Sequence, residues 1–222
     1  MQSRDLKTLG YVLKRTNYAE ADRILQIITP EGKISAIAKG VRREKSKLAG
    51  GIEMFSLVEL NLHQGKSELF VITGAKMLKF YSGILKDLDK TGLAGDILKK
   101  ISKAAEHSDN PDYFEIVRQS FLALGSDYNL DLIETWFLFN LVKASGEEIN
   151  LFRDVNGEKL DAVKRYDWDE SEMALRERVD GVIGVDEIKI MRMILTNKLA
   201  VINKIKGVQE KIPRLLKIIK AF

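Results

Sequence analysis

The chain contains no cysteine. That absence excludes disulfides, thiolate metal sites and cysteine nucleophiles, and it fits an intracellular protein. Histidine is almost as scarce. His63 and His107 fall in different predicted elements and read as ordinary surface residues, because an imidazole needs a placed partner to act. No run approaches the roughly 18 apolar residues of a membrane span, and the opening "MQSRDLKTLG" has no apolar signal-peptide core. A soluble, cytoplasmic chain is expected. The sequence also lacks a phosphate-binding P-loop, a dinucleotide fingerprint and a nucleophile elbow. No internal repeat or low-complexity tract is present. The expectation is therefore a non-enzyme, with no catalytic residue, no metal and no cofactor. The one carboxylate cluster, Asp167, Asp169, Glu170 and Glu172 in "YDWDESE", would be the candidate for a divalent cation. It lacks the glycine turn and spacing of a calcium loop and reads as a solvated acidic loop. A metal-dependent nuclease built on it is the weakest functional reading.

What is present is an ordinary globular balance over 222 residues, 45% hydrophobic and 31% charged, enough to bury a real core. The formal net charge of +4 is mild, but its distribution is not. Residues 1–80 carry 14 Lys/Arg against 8 Asp/Glu, and the remainder carries 22 against 24. Such asymmetry points to an anionic partner for the N-terminal part, nucleic acid first.

The first 80 residues read as strands. Residues 8–15, 23–29 and 33–40 are apolar and β-prone, the second and third flanking a "PEG" turn. Residues 54–63 alternate, and after "QGKS" residues 68–76 return as a hairpin partner. Five short strands with a long connection between the third and fourth suit an OB-type barrel. Beyond residue 80 the period changes from 2 to 3.6. Amphipathic helices are expected around Leu93, Ile97, Leu98 and Ile101, and around Phe114, Val117, Phe121 and Leu124. "LDLIETWFLFNLVKASG" is apolar almost all round and should form a buried central helix. One helix is expected over 186–207. A last one is expected in "VQEKIPRLLKIIKAF", where Pro213 is tolerable only in the first turn. Residues 151–184 read as a hairpin or irregular insertion. The fold class is α+β: an N-terminal five-stranded OB-type β-barrel (1–80), then an all-α C-terminal domain (81–222).

The long connection, "AKGVRREKSKLAGG", gathers Lys39, Arg42, Arg43, Lys45 and Lys47 around the single acid Glu44. Lys14 and Arg15 end the first predicted strand, Arg23 opens the second and Lys33 the third. Cations on a surface that a backbone can track supply phosphate contacts without sequence readout. OB barrels add aromatic rings for base stacking. Here such rings are few. Tyr18 in "TNYAEAD" is the ring expected to be exposed, Phe55 shares a strand face with Glu59 and Asn61, and Tyr11 and Phe70 are assigned to the core. The paired glycines Gly50 and Gly51 read as turn residues returning the loop to the fourth strand.

The order and spacing of these residues over about 8–80 resembles the N-terminal domain of the bacterial RecO family. The resemblance is carried by Tyr18, Glu20, Asp22, Arg23, Thr29, Gly32, Lys33, Lys39, Gly40, Arg42, Arg43, Ser46, Phe55 and Ser56. It implies an OB-fold followed by a helical domain, and binding of single- and double-stranded DNA with annealing of complementary strands. It also implies recombination mediation with RecR and the single-strand-binding protein to help load RecA, at the nucleoid. The alternative is an adaptor whose helical domain holds single-strand-binding protein, with only weak DNA binding of its own. Many relatives carry a four-cysteine zinc module in the C-terminal domain. Here that module is absent and residues 151–184 stand in its place.

Overall fold

In the computed structural model, residues 4–64, 67–106 and 108–221 are described. The chain divides into two compact units, Met1–Ser126 and Asp127–Phe222.

The first unit is built on five strands: β1 (Arg4–Tyr18), β2 (Asp22–Thr29), β3 (Gly32–Ala38), β4 (Ser56–Gln64) and β5 (Phe70–Phe80). They close into a barrel in the order β1-β2-β3-β5-β4, with β4 returning to β1. All pairings are antiparallel except β3 with β5, which the long β3–β4 connection permits. This is the OB-type barrel the strand count suggests. Inward alternation fills it with Val12, Leu25, Ile27, Ala36, Ala38, Val58, Leu60, Leu62 and Ile72. Each larger aliphatic chain so buried contributes on the order of 1.5–3 kcal/mol. Gly10 belongs to this packing: a Cβ there would lie 2.5 Å from Ile27 Cγ2.

The outer face of β1 and β2 is also apolar because helices cover it. α1 (Leu88–Ala104) and α2 (Asp112–Leu124) both touch β1, and α2 touches β2. Tyr11, fully buried, packs against Phe114 and Phe121 at centroid distances of 5.3 and 5.5 Å. Its hydroxyl shares a hydrogen bond of 3.1 Å with that of Tyr81. Burial pushes both phenols up, and their mutual hydrogen bond adds to the rise at Tyr11. Strand gives way to helix after Phe80, yet α1 and α2 belong to the barrel's own unit, which ends at Ser126.

In the second unit, α3 (Leu130–Ala144) starts at Asn129, whose side chain accepts from the Leu132 N–H. It buries residues on every side, Ile133, Trp136, Phe137 and Phe139 among them, and contacts α4 (Val185–Thr196) and α6 (Val208–Ile219). Two features depart from the sequence expectations. The helix expected over 186–207 breaks into α4 and the short α5 (Leu199–Ile202). Asn140, Lys143 and Trp136 of α3 donate to the carbonyls of Ile194, Leu195 and Asn197, so α4's last acceptors are satisfied from outside. Pro213 lies inside α6, beyond its first turn. It is exposed, so the carbonyl its ring leaves without a donor, that of Gln209, belongs to an equally exposed residue. The stretch at 151–184, expected as a hairpin or irregular insertion among the helices, holds strands. Strands β6 (Asn150–Asp154), β7 (Tyr166–Asp169) and β8 (Ala174–Glu177) form a small sheet in the order β6-β8-β7.

Candidate nucleic-acid interface

The β3–β4 connection is a tethered loop. Gly40 takes φ +63°, a left-handed conformation that favours glycine, and turns the chain out of β3. Val41 and Ile52, both buried, plug into the barrel core at either end, with Leu48 and Ala49 packed beside them. Arg42, Arg43, Lys45 and Lys47 are exposed between these apolar anchors, and Lys39 is exposed just before them. Among the described residues none of the five forms an ion pair. Sequence reading identified the cations but not the anchors, although an isolated Val and Ile flanking a charged run is the signal to look for.

The two glycines closing the loop have different roles. Gly50 has open space where a Cβ would sit. Gly51 is buried against β5, and a Cβ there would lie 2.5 Å from the Ala75 carbonyl oxygen. Close backbone approach, not turn conformation, requires the second glycine.

The β1–β2 turn is held against the start of this loop. Asp22 Oδ1 accepts from the Gly40 N–H at 2.7 Å, and the Arg42 N–H donates to the Ala21 carbonyl at 2.9 Å. Tyr18, at the end of β1, is 52% exposed, so one aromatic ring and the loop's arginines share one end of the barrel. Glu20 and Glu44 are the exposed acids among them.

The remaining sequence candidates divide. Lys14 is exposed. Arg15 is engaged by Glu53 at 2.9 Å, and Arg23 donates to Asn17 Oδ1 at 3.1 Å. Lys33 does not belong to an open surface. Its side chain is 11% exposed and donates to the Ser102 carbonyl at 3.0 Å while pairing with Glu106 at 3.3 Å. It fastens α1 to the barrel, and Gln26 does the same by accepting from Ser102 Oγ at 2.9 Å. The β2–β3 face, which an OB barrel can offer to a strand, is thus partly occupied by α1. Phe55 is likewise withdrawn, with φ +57° and its ring edge-to-face with Phe121 at 5.9 Å. Phe70 packs against the core as expected.

His63 pairs with Asp5 at 2.7 Å, and His107 lies outside the described residues. Two of the "DWDESE" carboxylates, Asp167 and Asp169, are structural. Asp169 accepts from Ser171 Oγ, from the Ser171 N–H and from both Nε and Nη2 of Arg176. The Ser171 hydroxyl first, then Arg176, holds its carboxyl down at about 2. Asp167 accepts from the Val182 N–H and faces Arg178 at 3.4 Å. No group of three or more metal-ligating side chains is gathered among the described residues. Without cysteine a thiolate zinc site does not fit this chain. The small sheet is held instead by arginine–carboxylate pairs and by Gly181, whose missing Cβ admits the backbone of Tyr166.

No described helix is long and apolar enough to cross a membrane. Residues 1–81 match the family described as Recombination protein O N terminal. The chain is similar to the DNA repair protein RecO of Dehalococcoides mccartyi, at 30% identity over 210 residues, 91% of this chain and 83% of that one. The DNA repair protein RecO of Alkaliphilus metalliredigens is 29% identical over 88% of this chain and 79% of its own length. That of Acetivibrio thermocellus reaches 37%, over 42% of this chain and 37% of its own length.

Proposed function

The chain belongs to the RecO family of DNA repair proteins, and from that premise we propose that it is a recombination mediator acting through DNA binding. It binds single- and double-stranded DNA, anneals complementary strands, and helps load RecA at the nucleoid together with RecR and the single-strand-binding protein. The observation that carries the reading is the tethered loop: Lys39, Arg42, Arg43, Lys45 and Lys47, free of ion pairs among the described residues and held beside the exposed Tyr18. Cations kept off carboxylates are available to phosphate, and a neighbouring ring gives one base a stacking partner. Annealing breaks no covalent bond, so a surface that neutralises two backbones suffices.

The salt dependence of single-stranded DNA binding tests this. Five contacts predict a log–log slope of roughly −3.5, at about −0.7 per contact. Replacing Arg42 and Arg43 with Ala should flatten it by about 1.4 units. A slope unmoved by the double substitution removes these residues from the contact surface.

A second reading, an adaptor role for the helical unit, is favoured by a shallow groove on α6 lined by Pro213, Leu216, Lys217, Lys220 and Ala221. Lys220 is paired with Glu134, which leaves apolar side chains beside Lys217 to suit an acidic peptide with an apolar end. Titrating the acidic tail peptide of single-strand-binding protein against Lys217→Glu checks it. Equal affinity for wild type and variant removes the groove.

A further inference from the structure

A second basic surface lies on the same unit, away from the loop. Between α1 and the barrel runs a groove floored by Leu13, Met54 and Leu98 and rimmed by Lys14, Lys99 and Lys103. Its carboxylate, Glu106, is already paired with Lys33, and the nearby Glu53 is paired with Arg15. The three rim lysines form no ion pair among the described residues, so the groove has a surplus of positive charge.

Two independent features built this groove. The first is a β-bulge. Val12 pairs with Ile27 and Lys14 with Gln26, so Leu13 is an extra residue on β1. Strict alternation from the inward Val12 would send Lys14 into the barrel. The bulge instead brings Leu13 and Lys14, neighbours in sequence, to the same groove. The second is the groove-facing stripe of α1. Gly95, Leu98, Lys99, Ser102 and Lys103 recur at helical spacing on one side, and Glu106 follows just past the helix end. Gly92 and Gly95 lie on this helix with nothing within 4 Å of where a Cβ would be. Packing does not require either glycine, although each disfavours the helix by up to about 1 kcal/mol relative to Ala. Gly95, the one of the two that lines the groove, keeps its wall open between the lysines and the aliphatic floor.

We propose that this groove is a second single-stranded DNA subsite, continuing the path from the β3–β4 loop. Lys14, Lys99 and Lys103 take phosphates, and the aliphatic floor takes a base face. The inference rests on the loop being the first subsite. Charge complementarity selects a polyanion, and Lys14 connects the two surfaces. It lies four residues before Tyr18 on one continuous strand, about 13 Å at strand rise. That distance is within the reach of the roughly 4–16 nucleotides an OB barrel engages.

The test uses the full chain with labelled oligothymidylates of about 6 nucleotides, near the short end of that range, and about 30, beyond its long end. Lys99→Ala with Lys103→Ala should flatten the salt slope for the long oligomer by about 1.4 units and leave the short one, held at the loop, near wild type. Gly95→Leu should weaken long-oligomer binding several-fold by filling the groove without changing charge. It should not lower the melting temperature, since Leu is the better helix former. Wild-type long-oligomer binding by both variants, with the Arg42/Arg43 variant impaired, overturns the groove subsite alone. If the Arg42/Arg43 variant is unimpaired as well, the loop reading fails too. If the lysine variant keeps DNA binding but loses affinity for a polyglutamate probe, the groove belongs to an acidic protein segment and the proposal is wrong.

Discussion

At the scale of single residues, positions that look alike in sequence carry unlike loads. Gly50 and Gly51 are adjacent, but only Gly51 meets backbone, 2.5 Å from the Ala75 oxygen. Gly51→Ala should cost 2 kcal/mol or more, about the scale of core overpacking, while Gly50→Ala should stay within about 0.5 kcal/mol. Urea denaturation of the pair checks this, and equal midpoints would refute the close approach. Tyr11 and Tyr81 are a second case. Tyr11→Phe leaves the Tyr81 hydroxyl without that partner under α2 and should cost about 1–2 kcal/mol. The double Phe variant should lose less than the two single losses added together, and strict additivity would sink the coupling.

Much of the candidate interface was legible at this scale. Five cations around one acid can be counted from the sequence, and "TNYAEAD" suggests an exposed Tyr18, as observed. Lys33 could not be read. It is as basic as its neighbours, but its partners Ser102 and Glu106 lie 69 and 73 residues away. The strand face that Phe55 shares with Glu59 and Asn61 likewise does not show its cover, Phe121, which comes from α2.

Elements are decided by what satisfies their ends and faces. Hydrophobic period alone predicts the amphipathic face of α1 and the all-round burial of α3. It does not predict the end of α4, which three donors on α3 set, nor the bulge in β1, which is visible only in pairing register. In the β7–β8 hairpin, Asp169 gives a pH prediction. Its folded value, about 2, lies below the ~3.9 of an unfolded aspartate. Its contribution is therefore full above about pH 4 and lost as pH falls through about 2. Acid unfolding of Asp169→Asn should be flatter than wild type over that window, and superimposable curves would contradict the Ser171 and Arg176 contacts. Glu187 acts in the same direction at the start of α4. Burial alone would raise its carboxyl, but its own and Gly184's backbone N–H groups and Lys211 outweigh burial and leave it low.

For the whole molecule, the useful boundary is not where strands stop. The barrel closes by Phe80, but Tyr11 is buried by α2 and Lys33 is fastened to α1, both within the unit ending at Ser126. A fragment of residues 1–126 should therefore unfold cooperatively with native-like near-ultraviolet dichroism. A fragment of residues 1–80, stripped of that cover, should lose the tyrosine signal and bind a hydrophobic dye. Cooperative melting of the shorter fragment would show that the helices are dispensable to the barrel.

The sequence by itself determined the barrel's strand count, the change of period near residue 80, the excess of cations in the β3–β4 loop and the lack of thiolate chemistry. These are properties of composition and local spacing, and they do not depend on distant partners. Tertiary structure decided which cations are available. It engaged Lys33 with α1, turned Lys14 outward at a bulge, anchored the loop through Val41 and Ile52, and tied Asp169 to Arg176. Charge is written residue by residue. Whether a charge faces water or a carboxylate depends on the segments that fold against it, and those lie far along the chain.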